Sequence, residues 1–389
     1  QGLKRMDVYA SSQVIEQFVR VFGIIALGYI FVQILSFDGI WAIYMAMLSA
    51  SIAAVITIIY MLVMTRKQSR EVIALAKGQS TSGKNQKEVF IELISLGIPY
   101  VIISFLGTSS SIVNSNFFMS YAPTANIAYE DALLVLGILQ VNCNKIAAIP
   151  QVLTLGFSAG LVPYLTESLE KQDYRLLQRQ LSDIFNTVFY LLIPVVMAFI
   201  LFAKAIYFIM YGNANLDLGS EVFMISNLQT ITDTIAPILS SILITLRHRK
   251  SAIGILAISF AIKFISFFPF ISLTGYAGMI YSSVLCSLVV IVFGFVFLKK
   301  NYNFKLKNCL KKLLFIFISS ILCMIPCLII SFFVPFNYDS KLVCLLLMIV
   351  YALISGSLYL VITYFFYLPQ SIFHVKGKDI LKVFTRFRA

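Results

Sequence analysis

Ten apolar runs of about 20 residues recur along the chain, at 13–35, 40–64, 90–113, 132–157, 185–208, 222–246, 252–273, 277–298, 313–335 and 342–366. A run of that length crosses the ~30 Å hydrocarbon layer of a bilayer as an α-helix. No water reaches the backbone there, so each run must close its own hydrogen bonds within a helix; a barrel would show shorter, alternating segments. Of 389 residues, 60% are hydrophobic and only 12% charged, against ~45–50% apolar in soluble domains. The fold class expected is an all-α polytopic membrane protein with ten transmembrane helices.

The net charge of +13 invites a nucleic-acid reading, but its placement argues for topology instead. Lys and Arg number two before the first run, six in 65–88, three in 164–182, three in 247–250, six in 299–312 and five after 370. These alternate loops hold 25 of the 30 basic residues, whereas the opposite loops hold only Lys341 together with Asp38, Glu130, Asp131, Asp217 and Asp339. By the positive-inside rule, both ends of this chain are expected in the cytoplasm of a cell-membrane protein, with no nucleic-acid partner. Attraction to anionic membrane lipids is a secondary consequence.

A repeat lies within these runs. Leu3-Lys4-Arg5 leads into an apolar helix with Arg20 seventeen residues after the leucine; Leu246-Arg247-His248 leads into another with Lys263 seventeen after its leucine. Each helix is followed by a second span opening alike, Trp41-Ala42-Ile43-Tyr44 against Gly278-Met279-Ile280-Tyr281, and ending in Arg66-Lys67 or Lys299-Lys300. Two hairpins of equal orientation, four spans apart, imply a six-helix unit whose first copy lacks four helices here. The expected whole is a fourteen-helix, two-lobed architecture of six, six and two, of which this chain is the C-terminal part. Residues 1–88 would be the last two helices of the first lobe plus a flexible cytoplasmic linker over 65–88. Residues 89–300 would be the second six-helix lobe, and 301–389 two additional helices with a basic tail. The segment 164–184 and the tail after 370 read as amphipathic helices at the cytoplasmic interface. Parallel repeats place substrate between the lobes near the midplane, which points to alternating access.

Ionisable groups inside the bilayer cost at least ~2.5–3.5 kcal/mol each on insertion scales, so each marks a candidate site. Lys145, between Asn142-Cys143-Asn144 and Pro150, combines a polar patch with an expected helix irregularity. It could bind an anionic phosphate as a point charge, pair with Asp233, or snorkel to the surface. Arg20 and Lys263, at equivalent repeat positions, could hold a diphosphate together; alternatively Glu16 neutralises Arg20 as an i,i+4 pair. Asp233 could pair with a lysine or bind a coupling cation. The six cysteines fall in spans or a cytoplasmic loop and suit apolar filling, with no metal site. No HExxH, GxSxG or GxxxxGK[ST] motif occurs, so neither catalytic residues nor a cofactor are expected.

Gln1-Gly2-Leu3-Lys4-Arg5-Met6, followed by Ser12-Gln13-Val14-Ile15-Glu16-Gln17-Phe18-Val19-Arg20, resembles flippases of the multidrug/oligosaccharidyl-lipid/polysaccharide exporter (MOP) superfamily. So does the block from Ile149-Pro150 through Gly160-Leu161-Val162-Pro163-Tyr164-Leu165-Thr166-Glu167, then Leu192-Ile193-Pro194 to Tyr211-Gly212. The likeness is strongest to the lipid II flippase and sporulation-protein (MurJ/SpoVB/Wzx-like) branch, where a basic residue stands five before the first proline, as Lys145 does before Pro150. The resemblance implies flipping of polyprenyl-diphosphate-linked sugars, with the final two helices lining a groove for the lipid tail and coupling to a cation or the membrane potential. Two departures bear on it. The family's cationic first helices have no counterpart here, and Asn114 stands where relatives often carry aspartate. A multidrug/cation antiporter of the same superfamily would favour acidic intramembrane residues, and this chain's are mainly basic. A membrane enzyme of polysaccharide assembly and a transport-dead scaffold are the readings from other classes.

Overall fold

The bilayer constraint is met by helices throughout. The computed structural model describes residues 6–78 and 86–373, and no strand occurs among them. In chain order the helices are α1 (Met6–Tyr29), extended by a π turn at Ile30–Ile34, α2 (Ile40–Gly78) and α3 (Gln86–Tyr121). Next come α4 (Tyr129–Gly137), joined by a π turn at Ile138–Cys143 to α5 (Asn144–Glu170), then α6 (Tyr174–Leu201), α7 (Ala203–Tyr211) and α8 (Leu216–Thr245). The remainder are α9 (Arg249–Thr274), α10 (Ala277–Tyr302), α11 (Leu306–Phe333), α12 (Lys341–Phe365) and α13 (Leu368–Phe373). Among the described residues ten spans are long and apolar enough to cross a membrane. This is a multi-pass membrane protein.

The chain divides into two compact units, Gln1–Ile91 and Glu92–Ala389. In the first, α1 and α2 form a hairpin. Met45, Ser49, Ala53 and Thr57 recur every fourth residue on α2 and are its buried stripe. Small residues let the two backbones approach: Ser49 Oγ donates to Arg20 O at 2.8 Å, and a Cβ on Gly23 would lie 2.2 Å from that hydroxyl. Phe31, Phe37, Trp41 and Tyr44 stack around the turn.

In the second unit α8 is the inner helix, burying Val222, Phe223, Ile235, Leu239 and Ile242. One core gathers Leu177, Leu181, Phe185 and Leu192 of α6 with Leu239 and Leu298. A second gathers Phe118, Ala132, Tyr207, Phe223, Phe267 and Met279. Helices α11 and α12 join the first core through Cys323, Cys327, Tyr351 and Tyr359. Tyr359 Oη donates to Tyr190 O at 2.9 Å, tying α12 to α6.

Several expectations are corrected. The segment 164–184 is not an interfacial helix: 164–170 completes α5, Lys171–Asp173 turns, and 174–184 opens α6. Its stripe of Leu177, Leu181 and Ile184 is buried against other helices, because an i,i+4 apolar face suits a protein neighbour as well as lipid. Asp173 caps α6 by accepting from Leu176 N at 3.0 Å. The expected linker 65–88 is helical through Gly78 and again from Gln86; 79–85 lies outside the described residues, as does the tail from 374. The third span does not end at 113. α3 runs on to Tyr121, its hydroxyls bonding to preceding carbonyls, Ser109 to Leu106 O at 2.6 Å and Ser115 to Ser111 O at 3.0 Å. The irregularity expected at Pro150 falls instead at the π turn Ile138–Cys143, while α5 runs unbroken past Pro150. The fifth span stops at Leu201, and α7 follows as a separate short helix.

A close approach of backbone to backbone follows the turn from α9 to α10, where a Cβ on Gly278 would sit 2.4 Å from Phe270 C and Ile271 N. Those are backbone atoms and cannot rotate away. Gly278→Ala should therefore lower the melting temperature of the purified protein by several degrees in a fluorescence size-exclusion melt. Gly294→Ala, whose added methyl meets only Leu239 methyls at 3.3 Å, should lower it less. Equal melting of both variants and the parent would contradict this packing.

Candidate functional site

Four hydroxyls in sequence, Thr108-Ser109-Ser110-Ser111, lie on α3. Within the second unit they line a cavity of about 550 Å³ together with Asn144, Gln229, Asp233, Ser240, Ser259 and Ser287 from α5, α8, α9 and α10. Ile103, Leu106, Ala236, Leu256 and Val290 supply its apolar walls. Helices tolerate this density of Ser and Thr because a hydroxyl can donate to a carbonyl one turn back, leaving its lone pairs outward.

Asp233 sits in that lining. Its Oδ2 accepts from Gln229 Nε2 at 2.8 Å, one turn earlier on α8, and its Oδ1 from Ser287 Oγ of α10 at 2.7 Å. The lysine pairing expected from sequence is not what holds this carboxylate; neutral donors do.

Beside the cavity, Lys263 is completely buried. Its ammonium donates to Asn114 Oδ1 at 2.8 Å, Ser282 Oγ at 2.8 Å, Ser283 Oγ at 2.9 Å and Met279 O at 3.2 Å. The ring of Phe267 lies 5.1 Å away, a cation–π contact. The serine protons point elsewhere, Ser282 to Gly278 O at 2.7 Å and Ser283 to Met279 O at 2.8 Å, so both oxygens turn lone pairs to the amine. Lys263 was expected to face the substrate cavity and hold a diphosphate. It is instead enclosed, with its donors committed, because Gly278 and the two serines let α10 close over it.

The other expected residues are separated. Lys145 is exposed within the span Tyr129–Val152 and does not line the cavity. Among the described residues it has no hydrogen-bond or ion-pair partner, so the expected pairing with Asp233 is absent here too. Asn142 turns to the protein interior and donates to Tyr207 Oη at 2.9 Å. Asn144 lines the cavity and donates to Gln140 O at 3.0 Å across the π turn. In the first unit Arg20 and Glu16 form the i,i+4 ion pair at 2.7 Å. The reading of residues in isolation missed Gln229, Ser259, Ser282, Ser283 and Ser287. The available signal was spacing: Gln229 and Asp233 lie one turn apart, and the α10 serines share a helix face.

In the second unit eight apolar spans enclose a polar cavity, the arrangement of a polytopic helical transporter. Comparison with known proteins agrees. Residues 138–352 match the family model "Lipid II flippase MurJ", and residues 1–169 match "Polysaccharide biosynthesis protein". The chain belongs to the lipid II flippase MurJ family. It is 25% identical to the lipid II flippase MurJ of Bacillus subtilis (strain 168) over 370 residues, covering 92% of this chain and 67% of that protein. Stage V sporulation protein B of the same organism is 27% identical over 227 residues, covering 58% of this chain and 42% of that protein. A solved structure of a lipid II flippase MurJ in an inward closed conformation superposes with TM-score 0.63 at 15% identity, covering 90% of this chain and 66% of that one, which shows the shared fold. The chain thus spans about two thirds of the length of the fullest of these matches.

The enclosed ammonium makes a direct prediction. Lys263→Ala removes the donor to Asn114 Oδ1 and Ser282 Oγ and opens a void, a class of change that costs roughly 2–5 kcal/mol. Thermal melting in detergent should show a large loss, and Asn114→Leu a smaller one. A Lys263→Ala protein as stable as the parent would mean that the amine does not hold α3, α9 and α10 together.

Proposed function

We propose that this chain is the larger part of a flippase that carries polyprenyl-diphosphate-linked sugars across the cell membrane. In this reading α1 and α2 end a first six-helix lobe, residues 89–300 form the second, and α11 and α12 are the two additional helices. The basic loops, with 25 of 30 Lys and Arg on one side, put both ends of this chain in the cytoplasm. The relatives named as lipid II flippases support the substrate class, an anionic diphosphate on a lipid tail.

The observation that carries the reading is Lys145. It is an exposed, unpaired cation inside a membrane span. Left against hydrocarbon it would be costly, so it calls for an anionic partner or a watery path. A substrate diphosphate supplies the partner, and a compact ammonium suits it as a point charge. Arg20, half-exposed and held by Glu16, is a secondary contact that would have to leave its carboxylate to bind substrate. Returning an empty cationic carrier toward a negative interior is favoured by ~2.3 kcal/mol per charge per 100 mV, which gives the membrane potential a resetting role.

The test is translocation of a labelled polyprenyl-diphosphate sugar in proteoliposomes by the protein with any remaining part of its reading frame. Lys145→Ala should slow flipping at least tenfold while leaving melting unchanged, and Lys145→Arg should restore much of it. Full flipping by Lys145→Ala would remove this residue from the site. No flipping by the parent would remove the proposed activity.

A further inference from the structure

The π turn at Ile138–Cys143 interrupts the membrane span that carries Lys145. Such a turn inserts an extra residue into a helix and is rare, so contacts from outside the helix have to hold it. Two of its polar residues make them. Towards α3, Ser111 Oγ donates to Gln140 Oε1 at 3.0 Å, and Gln140 Nε2 donates to Ser115 Oγ at 3.1 Å. Towards α7, Asn142 Nδ2 donates to Tyr207 Oη at 2.9 Å, and Tyr211 Oη donates to Asn142 O at 3.1 Å. The two tyrosines are themselves anchored. Their ring centroids lie 5.0 Å apart. Tyr207 is buried and presses on α8 at Gly219, where an added Cβ would lie 2.2 Å from its ring. The turn is thus gripped from both sides, by α3 through Gln140 and by α7 through Asn142.

Lys145 stands two residues beyond the turn. Successive residues of an α-helix are rotated by about 100°, so relaxing the turn to α geometry would swing Lys145 by about that angle off the face it now presents. We propose that Gln140, Tyr207 and Tyr211 are positioning residues that hold the π turn and thereby aim the Lys145 ammonium at the substrate diphosphate. None of the three bonds to the lysine; they act through the winding of the helix just before it. Asn142, expected from sequence to touch the diphosphate, is the helix side of this clamp. The link to transport rests on the flippase reading. The aiming of residue 145 does not.

The test pairs a distance with a transport measurement. Tyr207→Phe combined with Tyr211→Phe removes both hydroxyls and keeps both rings, so the packing at Gly219 survives. The six cysteines are buried, which leaves nitroxides on Lys145→Cys and on Leu310→Cys, an exposed position of α11, as the reporters. Electron paramagnetic resonance then reads the direction of residue 145 without any transport. The phenylalanine pair should move that distance by several ångström, and Gln140→Leu gives a second arm should the pair fail to fold. In proteoliposomes the pair should raise the KM for a labelled polyprenyl-diphosphate sugar at least fivefold with little change in maximal rate. On the Lys145→Ala background it should add nothing further. An unchanged distance in both arms would overturn the proposal, as would an equal KM rise on the Lys145→Ala background, the mark of a general structural defect. A moved distance in a protein that flips no lipid would uphold the aiming of residue 145 and sink only its link to transport.

Discussion

One fully buried ammonium group organises the interior of the second unit. Lys263 Nζ holds Asn114 of α3 and Met279, Ser282 and Ser283 of α10 at 2.8–3.2 Å. In a low-dielectric interior an uncompensated charge is so costly that the surrounding oxygens cannot move away singly. Three helices are thereby fixed at one point. That point lies on α3 just beyond the serine run that lines the large cavity, so the cavity's wall depends on it. The close approach of α9 and α10 at Gly278 belongs to the same arrangement, because Gly278 O takes the Ser282 proton and frees that oxygen for the amine.

A membrane interior penalises every unpaired polar atom, yet this unit is rich in hydroxyls. The two facts are compatible because Ser and Thr can donate to the preceding turn of their own helix, as Thr154 does to Pro150 O, Thr234 to Thr230 O and Ser240 to Ala236 O. The helices remain intact and present acceptor oxygens at their surfaces. The result is an interior suited to positive charge. Lys263 satisfies one part of it from within the chain. The exposed cation Lys145, one helix away, has the opposite need. This separation of acceptor-lined interior from exposed cation is the electrostatic plan of the unit.

Much of the fold was legible in the sequence. Ten apolar runs correspond to ten spans, and the two segments read as hairpins are the helix pairs α1–α2 and α9–α10. The site was legible only in part. Lys145, Asn144 and Asp233 stood out because charge and amide groups are rare inside the bilayer. Their partners did not, since a serine in a transmembrane run looks the same whether it faces lipid, a cavity or a buried amine. Lys263 was misread for that reason: its depth was visible, but the closing face of α10 was not. The segment 164–184 failed similarly, its apolar stripe fitting a helix neighbour as well as a membrane surface.

The sequence by itself determined that the chain is a helical membrane protein and where its ten apolar spans lie. Hydrocarbon thickness and the absence of water act on each run independently, so one-dimensional patterns are sufficient for those conclusions. Only the tertiary structure decided which intramembrane charges are buried and which stay free. Lys145 and Lys263 are the same residue type at comparable depth, yet one is exposed and the other caged. The difference comes from helix–helix contacts between residues up to 149 apart in the chain, and no local pattern encodes which face of a helix will meet them.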